Sequence, residues 1–405
     1  MSIPAADIRS AFVLELGKAM QTLGVPAHRF EEALEEMCTS LGIEGDFFAL
    51  PTAFIANLQE GEHHRTHVVR QGAGNPDLSK LDELKFLTDA VMRGHLTPEG
   101  GLHRLRSLMA RPSRHPLKVV VPCFGLVSCA AAGVLGGGWH EMLVAIPLGF
   151  LMGFLAVSSE TRPTLARVLP ALAATLVALA GAFAAPYASV KLVVLAGLII
   201  LFPGLKLLIS LNELSTGNLV AGAARLADVG ITLVQLAFGA ALGQQLGVSA
   251  LKLLPAVNRL HVVHPLPEAF QYLPVAGLAL GLLVLFQARW RDYPWILGGC
   301  LLAMAGTRLG AHWLGASFGA AMGAFAITLG SNLLSRVTHR TPSLTLLPGL
   351  LVLVPGSLGF RGLASIFQNQ VVSGLDTAFQ MIFLAVALLF GLLLAHLAGP
   401  ERPPI

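Results

Sequence analysis

From Val119 onward the chain is a succession of ten apolar segments with short polar breaks, and this limits the fold more than any other feature. The spans run roughly over 119–136, 142–158, 165–184, 190–210, 229–247, 271–288, 294–310, 313–333, 343–356 and 378–397. Most match the ~17–25 residues that a helix needs to cross a hydrocarbon core. The ninth is short on length alone. Composition agrees: 54% of residues are hydrophobic and only 12% charged, against about a quarter charged in soluble domains.

Charge is unevenly placed, with more than half of the Asp, Glu, Lys and Arg residues at or before Lys118. The chain is therefore expected to divide into a soluble domain, 1–116, a first membrane repeat, 117–250, and a second, 251–405. The net charge of +4 comes from Arg and Lys flanking apolar segments, which argues against nucleic acid as a partner. The four cysteines include no C-x-x-C, so neither a disulfide framework nor a zinc site is expected. Met1 to Leu23 is amphipathic and mixed in charge, unlike an apolar leader, and the soluble domain is expected in the cytoplasm.

That domain reads as mixed α/β. Ile8–Leu23, Phe30–Leu41 and Leu78–Arg93 carry helical stripes ended by Gly24, Gly42 and Gly94, and Thr97-Pro98-Glu99 opens another helix. Phe47–Leu58 is expected to hold one or two short strands and Thr66–Arg70 another. His63, His64 and His67 read as solvated histidines, so no metal or cofactor is expected. Basic residues cluster at segment ends on the side shared with the N-terminus, which predicts N-in, C-in topology.

The strongest pattern inside the membrane half is a repeat. Leu201–Ala223 and Leu353–Leu375 align without a gap, matching Leu201/Leu353, Pro203/Pro355, Gly204/Gly356, Leu211/Leu363, Val220/Val372 and Gly222/Gly374. The offset continues to Phe238-Gly239 and Phe390-Gly391. Each half holds five spans, so two halves joined directly enter the membrane from opposite sides. The expected fold is a polytopic α-helical membrane protein of about ten helices in two inverted five-helix repeats. Such repeats place substrate near the midplane, where helices are broken. Pro203-Gly204 and Pro355-Gly356 supply the breaks, and their freed backbone groups are tolerable only where they line a cavity buried in protein.

At these motifs the sequence resembles the threonine/serine exporter family over nearly its whole length. The soluble part carries "LELGKAMQTLGVPAHRFEEAL", "FFALPT" and "DLSKLDEL". The membrane part carries "GGGWHE", "FPG…NELSTGNLVAGAARLAD", "GSNLLSR" and "TPSLTLLPGLLVLVPG". The sequence departs from the usual family pattern at His140-Glu141 and at Glu213, where Asp is frequent. The resemblance implies an inner-membrane exporter of small hydrophilic amino acids, driven by the proton motive force, with a cytoplasmic N-terminal domain. Split relatives of the family imply dicarboxylate cargo as an alternative.

A zwitterion needs helix N-termini or Arg for its carboxylate, and carbonyls or acids for its ammonium. Proton coupling needs an acid or His that can be neutralised in a low-dielectric site. Glu213, beside Asn212 and just after the first break, is the first candidate, set against a solvated acid at a helix end. Glu160, Asp228 and Asp376 complete the coupling candidates, although capping, pairing with Arg162 and dipole complementation account for them structurally. Glu141 and Asp292 are expected in loops. Asn332 must find a partner inside an apolar span and could contact substrate or a neighbouring helix. The substrate path is thus Pro203, Gly204, Asn212, Glu213, Asn332, Pro355, Gly356 and Ser357. Arg308 and Arg361 would favour a dicarboxylate if they reached inward. A membrane-anchored hydrolase is the third reading, but no nucleophile motif is present. Expected partners are the amino acid, protons and the bilayer of a bacterial-type inner membrane, with a homodimer left open.

Overall fold

A computed structural model describes residues 5–60, 63–72, 74, 76–252, 262–338, 340–353, 356–367 and 370–398. The first part follows local sequence signals closely. Helices α1 (Ala5–Thr22) and α2 (Ala27–Leu41) precede an antiparallel sheet of β1 (Glu44–Leu50), β2 (Ala53–Glu60) and β3 (His63–Arg70), in that order. Gly42, at φ 67°, ends α2 in the left-handed conformation that glycine adopts without a Cβ clash. Pro51-Thr52 turns β1 into β2, setting Phe47 opposite Ala56. Helices α3 (Leu78–Met92) and α4 (Pro98–Ala110) start at Asp77 and Thr97, whose side chains accept the amides of Lys80 and Gly100. Phe12, Leu16, Met20, Leu34, Phe54, Leu84 and Leu105 form the wholly buried centre.

Beyond Pro116 the chain is helical: α5 (Leu117–Val134), α6 (Trp139–Glu160), α7 (Pro163–Phe183), α8 (Val190–Gly197), α9 (Gly204–Ser215), α10 (Leu219–Leu251), α11 (Leu273–Leu285), α12 (Tyr293–Leu314), α13 (Ala316–Thr338), α14 (Ser343–Leu353), α15 (Gly356–Phe367) and α16 (Val371–Ala398). Among the described residues eight helical stretches are long and apolar enough to cross a membrane, and the bent pair of α8 and α9 makes a ninth. The chain is a polytopic helical membrane protein. The seventh expected segment, α12, is long enough at 22 residues but less apolar than the others.

Two segment boundaries differ from expectation. The amphipathic stretch after Asn212 breaks only at Thr216–Asn218, and the rest joins the fifth span in one 33-residue helix. No proline lies between Leu219 and Leu251 to interrupt it. The stretch before the last span likewise merges into α16. The ninth span, short by sequence, is extended by α15.

Close helix pairs use glycine where a Cβ would strike backbone. A Cβ on Gly239 of α10 would meet the carbonyl of Ala171 in α7, and one on Gly391 of α16 would meet that of Ala321 in α13. These glycines are related by the repeat offset and serve equivalent helix pairs. The turns after the breaks match as well: Gly222 lies against Leu214 and the Ser210 carbonyl, Gly374 against Ile366 and the Gly362 carbonyl. All three pairs of positions are separated by the same offset.

The N-terminal elements sit on one end of the helical bundle. Residues 212–225, 286–289, 340–341 and His396 all lie against them.

Candidate functional site

The first break is built by a short 3-10 turn, Ile199–Leu201, after α8, an extended Phe202, and Pro203 at the start of α9. Proline cannot donate to the preceding turn, so the helix axis changes direction there. The axes of Val190–Gly197 and Ile199–Ser215 differ by 53°. Phe202, Pro203 and Gly204 are all buried, and the Leu207 amide donates to the Pro203 carbonyl at 2.9 Å to start the new helix.

The start of α15 meets this break. A Cβ built on Gly356 would lie 2.9 Å from the Phe202 Cβ and 3.4 Å from the Gly204 Cα. Phe202 and Phe360 pack beside the contact, with ring centroids 5.2 Å apart and the rings tilted by 34°. Helix α9 packs on α16, and α15 packs on α10, so the two halves exchange partners across this crossing. At the crossing the backbones touch instead of enclosing a void, which differs from the expected cavity. Absence of a side chain on both residues permits that approach. Ser357 follows it, half-buried, while Pro355 lies outside the described residues.

Glu213 is fully buried at the other end of α9. Nine residues from Gly204, it stands about 14 Å along the helix from the crossing. Its carboxylate accepts Arg225 Nε and Nη2, each at 3.0 Å, and the Ala27 amide at 2.9 Å. Ala27 is the first residue of α2, so the charge also lies at that helix's positive end. Around it, Asn218 Nδ2 donates to Glu31 Oε2 at 2.7 Å, and Glu31 Oε1 accepts the Ala49 amide at 2.8 Å. Asn212 Nδ2 lies 3.2 Å from His28 Nε2. Burial, with Arg29 and His396 nearby, pushes the His28 imidazole down to about 4. The ring is therefore neutral near pH 7, and its Nε2 can accept from Asn212.

The other acids sort differently. Asp228 is exposed and pairs with Lys206 at 2.8 Å. Asp376 is exposed and accepts Gln380 at 2.9 Å, and Glu160 is exposed at the end of α6. Two acids expected in loops are buried instead. Glu141 accepts the amides of Gly138 and Ser189, at 2.9 and 3.1 Å, tying the start of α6 to the start of α8. Asp292 pairs with Arg340 and accepts the Arg289 amide. Each carboxylate finds N–H donors at a helix start, which offsets desolvation. Asn332 is buried in α13, and its Oδ1 has no partner among the described residues. Arg308 turns to the surface, over the Tyr272 ring and within 3.1 Å of its hydroxyl. Arg361 is exposed.

Arg225, by sequence no more than one of the basic residues at segment ends, is the partner of Glu213. The signal available was its place in the same motif, one long turn-and-helix away. The motif residue Glu31, which had no role by sequence, is the link between β1 and α10.

A sequence model for threonine/serine exporters matches residues 11–247. The chain belongs to the threonine/serine exporter family. A second model, Threonine/Serine exporter, ThrE, matches residues 271–398 of this exporter-family chain. Curated relatives include the "Pheromone-regulated membrane protein 10" of Candida albicans strain WO-1, 28% identical over 94% of this chain and 35% of that protein. The protein of the same name from Eremothecium gossypii is 26% identical over 97% and 55%, and that from Candida glabrata 27% identical over 92% and 48%. The exporter-family chain thus spans from about a third to just over half the length of these relatives. No solved structure matches it.

Proposed function

We propose that this exporter-family chain moves small hydrophilic amino acids, threonine and serine first, outward across a bacterial-type inner membrane by alternating access coupled to protons. The observation that carries the reading is the buried meeting of Gly204 and Gly356. A transporter's midplane site forms where broken helices of its two halves face each other, and the contact is the closed form of such a site. Parting the two breaks would expose the backbone of Phe202 to Gly204 and of Gly356 and Ser357 to cargo.

The inverted arrangement has support in chain direction. Helix α9 ends against the N-terminal unit, whereas α15 follows α14, which starts on that side after Thr341. This supports equivalent helices running in opposite senses in the two halves. The reading divides the chain into 1–116, 117–250 and 251–405. With the basic residues on the side of the N-terminal unit, that unit is read as cytoplasmic.

A zwitterion is favoured over a dicarboxylate because Arg308 and Arg361 are exposed and bring no extra cation to the crossing. Counterflow in proteoliposomes distinguishes them. Threonine or serine is expected to drive exchange, and succinate to fail; exchange with succinate alone would overturn the amino-acid reading.

Glu213 remains the coupling candidate, being the buried one among Glu160, Glu213, Asp228 and Asp376. Protonation there would exchange the Arg225 pair for a neutral carboxyl and so change internal contacts. Glu213→Gln is expected to abolish pH-driven uptake while exchange continues. An unaltered response of uptake to a pH gradient would eliminate Glu213 from that role.

A further inference from the structure

We infer that the N-terminal α/β unit is the inner gate of the exporter, a clamp that holds both halves of the membrane bundle together on the side where cargo must load. The inference rests on the exporter reading above and adds a part to it.

The unit is bonded to both halves at once. Toward the first half, the Ala27 amide donates to Glu213 at 2.9 Å and Glu31 accepts Asn218 at 2.7 Å. Toward the second, the Leu78 amide donates to the Phe286 carbonyl at 2.9 Å, and Asp82 accepts the Thr341 amide at 3.2 Å. Asp82 and Glu83 also lie 3.6 Å from Arg289 Nη2. Ala27, Asp82, Glu213 and Thr341 are all buried. These are bonds between buried groups, two of them carboxylates, and breaking one leaves a desolvated charge or amide unpaired.

The geometry has a direct consequence. Opening the crossing on this side requires the inner ends of the two halves to separate. A rigid unit that bridges residues 213–218 and 286–341 must let go of one half before that happens. Such a contact shifts the equilibrium between closed and open forms by its own free energy, because it exists in only one of them.

The opposite side has no counterpart by sequence. The repeat offset places Ala364, Ser365, Gln370 and Thr377 where the first half has Asn212, Glu213, Asn218 and Arg225. The buried ion pair and its helix-end anchor are thus present in one half only. An otherwise pseudo-symmetric machine is restrained on the cytoplasmic face and not by the same means on the other.

A reporter cysteine at Ser357, beside the crossing, tests this in the full-length protein reconstituted in vesicles. An impermeant maleimide is applied from the face that carries the N-terminal unit. Ala27→Pro removes the amide that reaches Glu213 and sets the ring Cδ against that carboxylate. Pro26 already has the extended φ −62°, ψ 151° that precedes proline, and the first helical position tolerates proline. Asp82→Asn weakens the second anchor without changing volume. Either variant is expected to raise labelling at position 357 about tenfold, the factor that accompanies about 1.4 kcal/mol. Cys300, buried in α12, reports unfolding in the same sample. A rise confined to position 357 supports the gate; no rise in either variant, or one shared with Cys300, overturns it. Wild-type counterflow is the separate readout for transport: its absence would defeat the exporter reading and leave the labelling comparison intact.

Discussion

Glu213→Ala is expected to destabilise the protein by about 3–5 kcal/mol, the range for stranding one member of a buried ion pair. The carboxylate is 0% exposed and the Arg225 side chain 12%. Truncation removes the acceptor of both guanidinium bonds and of the Ala27 amide, and too little water reaches the site to replace it. The comparison variant is Asp228→Ala. That acid pairs with Lys206 where both side chains are more than half exposed, so its loss should cost under about 1 kcal/mol. Thermal unfolding of both variants in the same detergent gives the contrast. Arg225→Met added to Glu213→Ala should recover part of the loss, because the unpaired charge is then gone. Equal costs at Glu213 and Asp228 would mean that the buried pair contributes no more than a solvated one.

The second large effect is expected where the first break meets the start of α15. Gly356→Val adds three carbons where even one would stand 2.9 Å from the Phe202 Cβ. Neither neighbour can yield easily, since Phe202 is wedged against Phe360 and Gly204 is backbone of the opposing break. Overpacking of this kind costs about 1–3 kcal/mol of stability. Its effect on transport should be larger, because the closed form with the two breaks in contact can no longer form. Counterflow should fall below a tenth of wild type, on the order of the 1.4 kcal/mol that separates tenfold differences. Gly298→Val is the control, since a side chain there meets open space. Wild-type counterflow by Gly356→Val would show that the contact takes no part in the cycle.

Much of the architecture was legible because its causes are local. Gly42, Asp77 and Thr97 end or start helices through their own backbone preference or side-chain oxygen. The Pro203-Gly204 break was legible for the same reason: a missing amide acts on its own helix whatever lies around it. The repeat offset was legible as an identity of residues, and it paired Gly356 with Gly204 as equivalent positions.

The burial of the acids was not legible. Glu141, Glu213 and Asp292 all sit near segment ends, where a solvated carboxylate is the simpler reading, yet all three are enclosed. Their donors come from residues 3 to 186 positions away, and no periodicity announces a bond of that range. Asp228 and Asp376 look the same in sequence and are exposed.

By itself the sequence determined that this is a membrane-embedded helical chain with an α/β head and two matched interruptions, because hydropathy, capping and proline geometry act within a few residues. Only the tertiary structure decided that Gly356 packs on the first interruption and that the head bonds to residues 213–218 and 286–341 alike. Those outcomes depend on which distant donors approach a given carboxylate or glycine, and such proximity is set by packing of the whole bundle.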